Sequence, residues 1–299
     1  MIRAKALFYW IEERHKIYTN RQAGLPKPWT DDPIFQQWRF CNVYRELDTV
    51  TEWIRDNWRD PHHNDPNVWF AMVIARLLNW PDTLAQLGYP KDGWETYPFV
   101  GVINERMRRF PKPKSYSGAY IVSTNGHAME KAPYLAEFVL RPLWENRQFI
   151  TPKRGTTLAE FHKKLSLYDG MGSFMAGQVI ADTKYTDLLI DAPDWWTWAA
   201  AGPGSKRGMN RVYEYDLNHA WPNTSWYKHL MDLKAEIDPM VAAAGMPLMH
   251  AQDLQNCLCE FDKYERVKRG EGTPRSGYPG LPNVGTPAPK EEIEEPPED

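Results

Sequence analysis

The stretch Tyr168-Asp-Gly-Met-Gly-Ser-Phe-Met-Ala-Gly-Gln-Val-Ile-Ala-Asp182 decides the reading of this chain. It predicts a tight Gly-x-Gly hairpin leading into a helix. Upstream, Thr157-Leu-Ala-Glu160 has the form of a capping box. Leu158, Phe161, Leu165 and Tyr168 follow it at helical spacing. Together these predict a helix-hairpin-helix over about 157–182, a motif that grips a DNA backbone without reading its sequence. Two glycines permit left-handed backbone angles and close approach of main chain to a ligand. The amides of Gly170, Gly172 and Ser173 are then expected to face a phosphate at the start of the second helix. Ser173 is the expected N-cap. The competing reading is an ordinary helical hairpin with glycine in its turn.

Working outward, most of the chain shows helical periodicity. Residues 4–20 place Leu7, Trp10, Ile11 and Ile17 on one side and Glu12, Glu13, Arg14 and Lys16 on others. Pro33 suits the first turn of a short helix capped by Thr30 or Asp31. Helices are also predicted over 49–58, 66–78, 225–244 and 251–268. The apolar runs 97–103 and 117–123 read as short β segments. Between them Arg106, Arg108, Arg109, Lys112 and Lys114 form a basic run without an acid. The expected fold is mainly α, two-lobed and helical, with a small β insertion.

Charge limits the partners. The whole chain carries −3, but residues 271–299 hold seven acids and two bases, which leaves 34 basic and 32 acidic residues for 1–270. A body at +2 is no polycation, so nucleic-acid contact must come from local patches such as Arg108 and Arg109. Fourteen tryptophans are enough to fill a core and to stack on unpaired bases. Seven prolines and the acidic end predict disorder from 271 to 299. Three cysteines cannot supply the four thiolates of an iron–sulfur cluster. With no leader segment, they fit a reducing cytoplasm. No apolar run reaches the length of a membrane span. His62 and His63 sit in a polar, proline-rich stretch that reads as a surface loop, and no metal site is assigned.

Three further segments carry candidate chemistry. Thr186-Asp-Leu-Leu-Ile-Asp191 ends an apolar run seventeen positions after Phe174. Asp191 also fits a helix N-cap. Ala201-Gly-Pro-Gly-Ser-Lys-Arg-Gly-Met-Asn-Arg211 reads as a loop whose amides, with Ser205, Lys206 and Arg207, suit phosphate oxygens. It lacks the Walker A spacing. On a helix, Asn256, Glu260, Lys263 and Tyr264 share one face, where a carboxylate beside a lysine can move protons or simply form a solvated ion pair.

The run ending at Asp191 resembles that of the helix-hairpin-helix DNA glycosylase superfamily, in which it ends in a catalytic aspartate. By that resemblance Asp191 matches the aspartate. Members with lyase activity have Lys where this chain has Phe174, which argues against Schiff-base chemistry there. Arg21-Gln-Ala-Gly-Leu-Pro-Lys-Pro-Trp-Thr-Asp-Asp-Pro33, Phe40-Cys-Asn-Val-Tyr-Arg-Glu-Leu-Asp48, Gly202-Pro-Gly-Ser-Lys-Arg-Gly208 and Cys259-Glu-Phe-Asp-Lys-Tyr264 carry a wider resemblance. Over about 1–270 the chain resembles the α-glutamyl/putrescinyl thymine pyrophosphorylase group of phage DNA-hypermodification proteins. It is also similar to the helical domain that accompanies 5-hydroxymethyluracil DNA kinases.

The resemblance implies a glycosylase-like helical catalytic domain over 1–270 that acts in the cytoplasm of an infected bacterial host. It implies transfer of an amino acid or polyamine onto the pyrophosphorylated 5-hydroxymethyl group of uracil in DNA, with release of pyrophosphate. A separate 5-hydroxymethyluracil DNA kinase would act upstream. Ser205, Lys206 and Arg207, with Arg14 and Arg21, would hold the pyrophosphate. Asp191, or Glu260 beside Lys263, would take the amine's proton. No cofactor is required, and Mg2+ is compatible with a pyrophosphate site. A DNA glycosylase acting on a modified base and a non-catalytic DNA-binding module are the rival readings.

Overall fold

The computed structural model describes residues 3–118, 120, 122–274 and 277. These residues are mainly helical and include no strand, only an isolated antiparallel bridge between Trp38 and Gly277. The chain divides into two compact units. One is drawn from Met1–Val43, Pro203–Leu248 and the chain from Leu254 on, and the other from Tyr44–Gly202 and Met249–Asp253.

In the first unit the helix Arg3–Gln22 packs on Asn223–Ala243 and on Pro203–Val212. Leu7, Trp10 and Ile11 recur at helical spacing and are fully buried, which turns that stripe inward. Trp10, Phe35, Phe40 and Tyr264 form an aromatic cluster. Asp32, not Thr30 or Asp31, caps the short helix Pro33–Gln37 through the amides of Ile34 and Phe35. Its other oxygen accepts the hydroxyls of Tyr9 and Tyr264.

The glycine-rich segment expected to be a loop is the helix Pro203–Val212. Proline preorganises its first turn. Gly204 and Gly208 let it lie against the helix Ala251–Lys268: a Cβ on Gly204 would strike Cys259 Sγ, and one on Gly208 the Leu258 carbonyl. The glycines serve close packing rather than flexibility. The segment expected to be disordered from 271 is partly tied: Glu271 pairs with Arg211 and Gly277 bridges Trp38. Residues 278–299 lie outside the described residues.

In the second unit the helix Val68–Leu78 is buried along all of its eleven residues. It packs on the helix Ser173–Thr183. The expected β segment at 97–103 is instead the start of the helix Phe99–Arg108. Phe99, Ile103 and Arg106 are its buried residues, so the run has a helical period that a short apolar stretch hides. In the second expected β run, residues 119 and 121 lie outside the described residues.

Candidate functional site

Thr157 caps the helix Leu158–Leu165 in a full capping box with Glu160. The chain then turns through 166–172 into the helix Ser173–Thr183. Gly170 adopts φ +70°, and a Cβ there would lie 2.6 Å from Val139 Cγ2. Gly172 has nothing within 4 Å of a Cβ position, so its face is open. Gly172, not Ser173, is the N-cap, with no side-chain capping bond. The first helical bond of that turn runs from the Ala176 amide to the Gly172 carbonyl. The amides of Ser173, Phe174 and Met175 therefore precede the ladder and lack intrahelical acceptors.

The expected set of phosphate-facing amides changes at one member. The Gly170 amide donates to the Asp169 carboxylate at 3.0 Å. Asp169 also accepts Asn125 Nδ2 at 2.5 Å and the Tyr134 hydroxyl at 3.0 Å. The open donors thus sit at 173–175. Across the turn, His162 Nε2 lies 3.0 Å from the Ser173 carbonyl. Burial pushes the His162 imidazole below its ordinary value, which favours the neutral ring as that donor.

Beside the turn lies a pocket of about 500 Å³. Tyr168, Asp169, Gly172, Phe174 and Met175 line it, together with Ser123 and Asn125. Phe174 is 54% exposed and meets Tyr120 edge-on at 5.3 Å. A large aromatic held at the rim by a second ring offers a flat apolar surface to a ligand.

Behind the rim a polar chain runs along one face of the helix Ser173–Thr183. The Tyr120 hydroxyl donates to Gln178 Oε1 at 2.7 Å, and Arg45 Nε donates to the same oxygen at 3.3 Å. Arg45 Nη1 reaches Asp182 at 2.7 Å. Arg76 grips Asp182 through Nε and Nη2 at 2.5 and 2.6 Å, and also binds Asn79 and Thr51. Burial alone would raise the Asp182 carboxyl, yet Arg45 and Arg76 hold it far below the usual carboxylate range. Sequence reasoning missed this centre. Its signals were a lone Arg in the apolar run 68–78 and an Asp ending an apolar helix, each pointing to a buried partner.

The other expected residues fall as follows. Asp191 is exposed in the turn after that helix and caps no helix. Asp194, three positions on, accepts the amides of Leu158 and Ala159 at 2.7 and 3.1 Å. Arg108 is exposed at its helix end, and Arg109 pairs with Glu105. Arg106 turns inward to Gln86 and the Lys114 carbonyl, which breaks the basic run.

In the first unit Ser205 is fully buried, and Arg207 is held by Asp262 at 2.9 Å. Lys206 points toward the Trp221 carbonyl at 3.5 Å. Arg14 donates to the Phe40 carbonyl and to Asn42. Arg21 is exposed at the end of its helix. The hydroxyl and the two cations thus do not hang from a mobile loop. Glu260 and Lys263 do meet, at 2.5 Å, and Glu260 also accepts the Cys41 amide. Burial works against the Lys263 ammonium, but Glu260 raises it well above its ordinary value.

The profile of the family described as 5-hmdU DNA kinase, helical domain, matches residues 2–273. The chain belongs to that family. It is also similar to a protein of Bacillus phage SP10 named 5-hmdU DNA kinase, at 29% identity over 288 residues. The alignment covers 86% of this chain and 44% of the relative, so the chain spans less than half of that protein's length. No solved structure matches the chain. Among the described residues no helix is long and apolar enough to cross a membrane.

Proposed function

We propose that this protein is a DNA-modifying transferase of thymine hypermodification. It takes DNA bearing pyrophosphorylated 5-hydroxymethyluracil and an amino acid or polyamine, forms a C–N bond at the base methylene and releases pyrophosphate. Membership of a family described by 5-hmdU DNA supports the substrate. The observation that carries the reading is the open Gly172 turn beside an aromatic-rimmed pocket of about 500 Å³.

In this reading the turn is a helix-hairpin-helix of the glycosylase-like kind. The amides at 173–175 take a backbone phosphate. The modified base leaves the stack and lies against Phe174 and Tyr168, because every base has a face that an aromatic ring can cover. The leaving pyrophosphate needs cations; Lys206 and Arg207, with Arg14 and Arg21, are the candidates. Asp191 and Glu260 are the carboxylates nominated to manage the amine's proton. A second reading is favoured by the phage relative's name: a domain that delivers 5-hmdU DNA to kinase chemistry without group transfer of its own.

One experiment separates them. The protein is incubated with kinase-treated 5-hydroxymethyluracil DNA and a panel of amines, and the nucleosides are analysed by mass. A nucleoside carrying the amine supports the transferase. Tight binding of the DNA with unaltered nucleosides supports delivery, and free base in solution supports a glycosylase.

A further inference from the structure

In the second unit, the pocket beside the hairpin carries charge of one sign. Asp169 is the one carboxylate among the described residues that line it, and no lysine, arginine or histidine lines it. The Asp169 side chain is 39% exposed, so solvent and solutes reach it. Beside it stand the exposed ring of Phe174 and the half-buried ring of Tyr168.

Asp169 is fixed without being neutralised. Its Oδ1 accepts the Gly170 amide at 3.0 Å and Asn125 Nδ2 at 2.5 Å. Its Oδ2 accepts the Tyr134 hydroxyl at 3.0 Å. Asn125 Nδ2 also donates to the Tyr134 oxygen at 3.0 Å, and Asn125 Oδ1 accepts the Ser123 hydroxyl at 2.9 Å. Tyr134 is fully buried, which ties this ring of bonds to the core. All three donors to Asp169 are neutral. Asp182 and Glu46 of the same unit are instead answered by arginines.

A carboxylate offers about four acceptor sites on its two oxygens. Three are filled here, and the one left lies on Oδ2. His127 Nε2 stands 3.8 Å from that oxygen, too far for a hydrogen bond, and its ring packs on Phe138 with centroids 4.1 Å apart. Asn125 reaches the carboxylate from a left-handed backbone, at φ 47°. Asparagine tolerates that conformation, and such residues gather where a site needs a side chain at a set place.

An N–H cation answers a fixed carboxylate with one open acceptor site. A primary ammonium brings three donors and a compact charge, and aromatic faces favour its flank. Amino acids and polyamines carry this group as a cation at neutral pH. A phosphate would be repelled.

We infer that Asp169 is the binding residue for the ammonium of the amine co-substrate, and that the pocket receives amine and base side by side. The inference rests on the transferase reading above. A pocket of about 500 Å³ is of the size that takes drug-sized ligands, so a pyrimidine leaves room for a second reactant. Tyr168 directly precedes Asp169, which puts the seated amine next to a ring on which the base lies. Holding the two together turns a bimolecular encounter into a positioned pair.

Calorimetric titration of the whole chain with putrescine, and separately with glutamate, tests the seat and tells the two amine classes apart. The wild type should bind at least one of them. Asp169→Asn should bind it about tenfold or more weakly, with Tm and affinity for 5-hydroxymethyluracil DNA nearly unchanged. The amide keeps the shape but not the charge. Neither amine bound by the folded wild type, or equal affinity in Asp169→Asn, overturns the proposal. If Asp169→Asn melts early, Phe174→Lys decides. At that exposed position a lysine brings its own ammonium to the pocket and should lower amine affinity by a similar factor; unchanged affinity overturns the proposal. A chain that holds amine through Asp169 but modifies no nucleoside in the transfer assay refutes the transferase reading and leaves the seat standing.

Discussion

Arg76 and Asp182 face each other from two packed helices, the guanidinium closing on both carboxylate oxygens at 2.5 and 2.6 Å. Each is 1% exposed. The pair sits where Val68–Leu78 meets Ser173–Thr183, so it fixes the helix that starts at the candidate site. Asp182→Ala leaves Arg45 and Arg76 without their shared anion. Removing one partner of a buried pair is expected to cost about 3–5 kcal/mol, read as a lower denaturant midpoint in urea. An unchanged midpoint would show that water reaches these arginines.

The same carboxyl gives a pH signature. Its folded-state value lies below its unfolded one, so Asp182 adds stability above the unfolded carboxylate range. That contribution is lost as pH falls below the range. Acid unfolding should therefore be less steep in Asp182→Asn than in the wild type, as followed by circular dichroism.

The buried Lys184 predicts a slope of the same sign at a higher pH. Its folded value of about 7 lies below the unfolded 10.5. Between these the unfolded chain holds a proton that the folded chain lacks, so stability rises with pH across that window. Below it the cost of burial is full. Lys184→Met should therefore raise Tm most at and below neutral pH, with the gain vanishing toward alkaline pH. A gain independent of pH would show that folding leaves the titration of this amine unshifted.

The two glycines of the turn should part company. Gly170→Ala meets positive φ and the Val139 methyl, and should cost roughly 1–2 kcal/mol of stability. Gly172→Val projects into open space and should leave Tm nearly unchanged while weakening DNA binding. Normal affinity and salt dependence in Gly172→Val would remove the turn from the DNA interface.

Asp191→Asn and Glu260→Gln rank the carboxylates. If either takes part in proton transfer, its variant should lose about 100-fold or more in turnover with DNA affinity intact. Near-normal rates in both at saturating amine would leave proton acceptance to another group.

Helices with a clear period were legible in the sequence. The stripe of Leu7, Trp10 and Ile11 predicts one helix, and 251–268 coincides with Ala251–Lys268. The capping box at Thr157 was legible because it is local. The run at 97–103 was not, since a few apolar residues fit either a strand or a helix. Gly204 and Gly208 read as loop punctuation, because the sequence does not reveal that Cys259 and Leu258 press against them. Asp182 and Arg76 lie 106 residues apart, and Lys184 owes its state to groups as distant as Arg45 and Asp253. Burial and charge pairing arise only once the chain has folded.

Asp194 ties the loop that bears Asp191 to the front of the helix Leu158–Leu165, by holding its first two amides. Two residues farther along the chain, Trp196 lends its carbonyl to the Ala251 amide, and Trp195 anchors to Lys184. The loop is strung between the hairpin at one end and Lys184 at the other. A displacement at either anchor is therefore passed to the segment that bears Asp191.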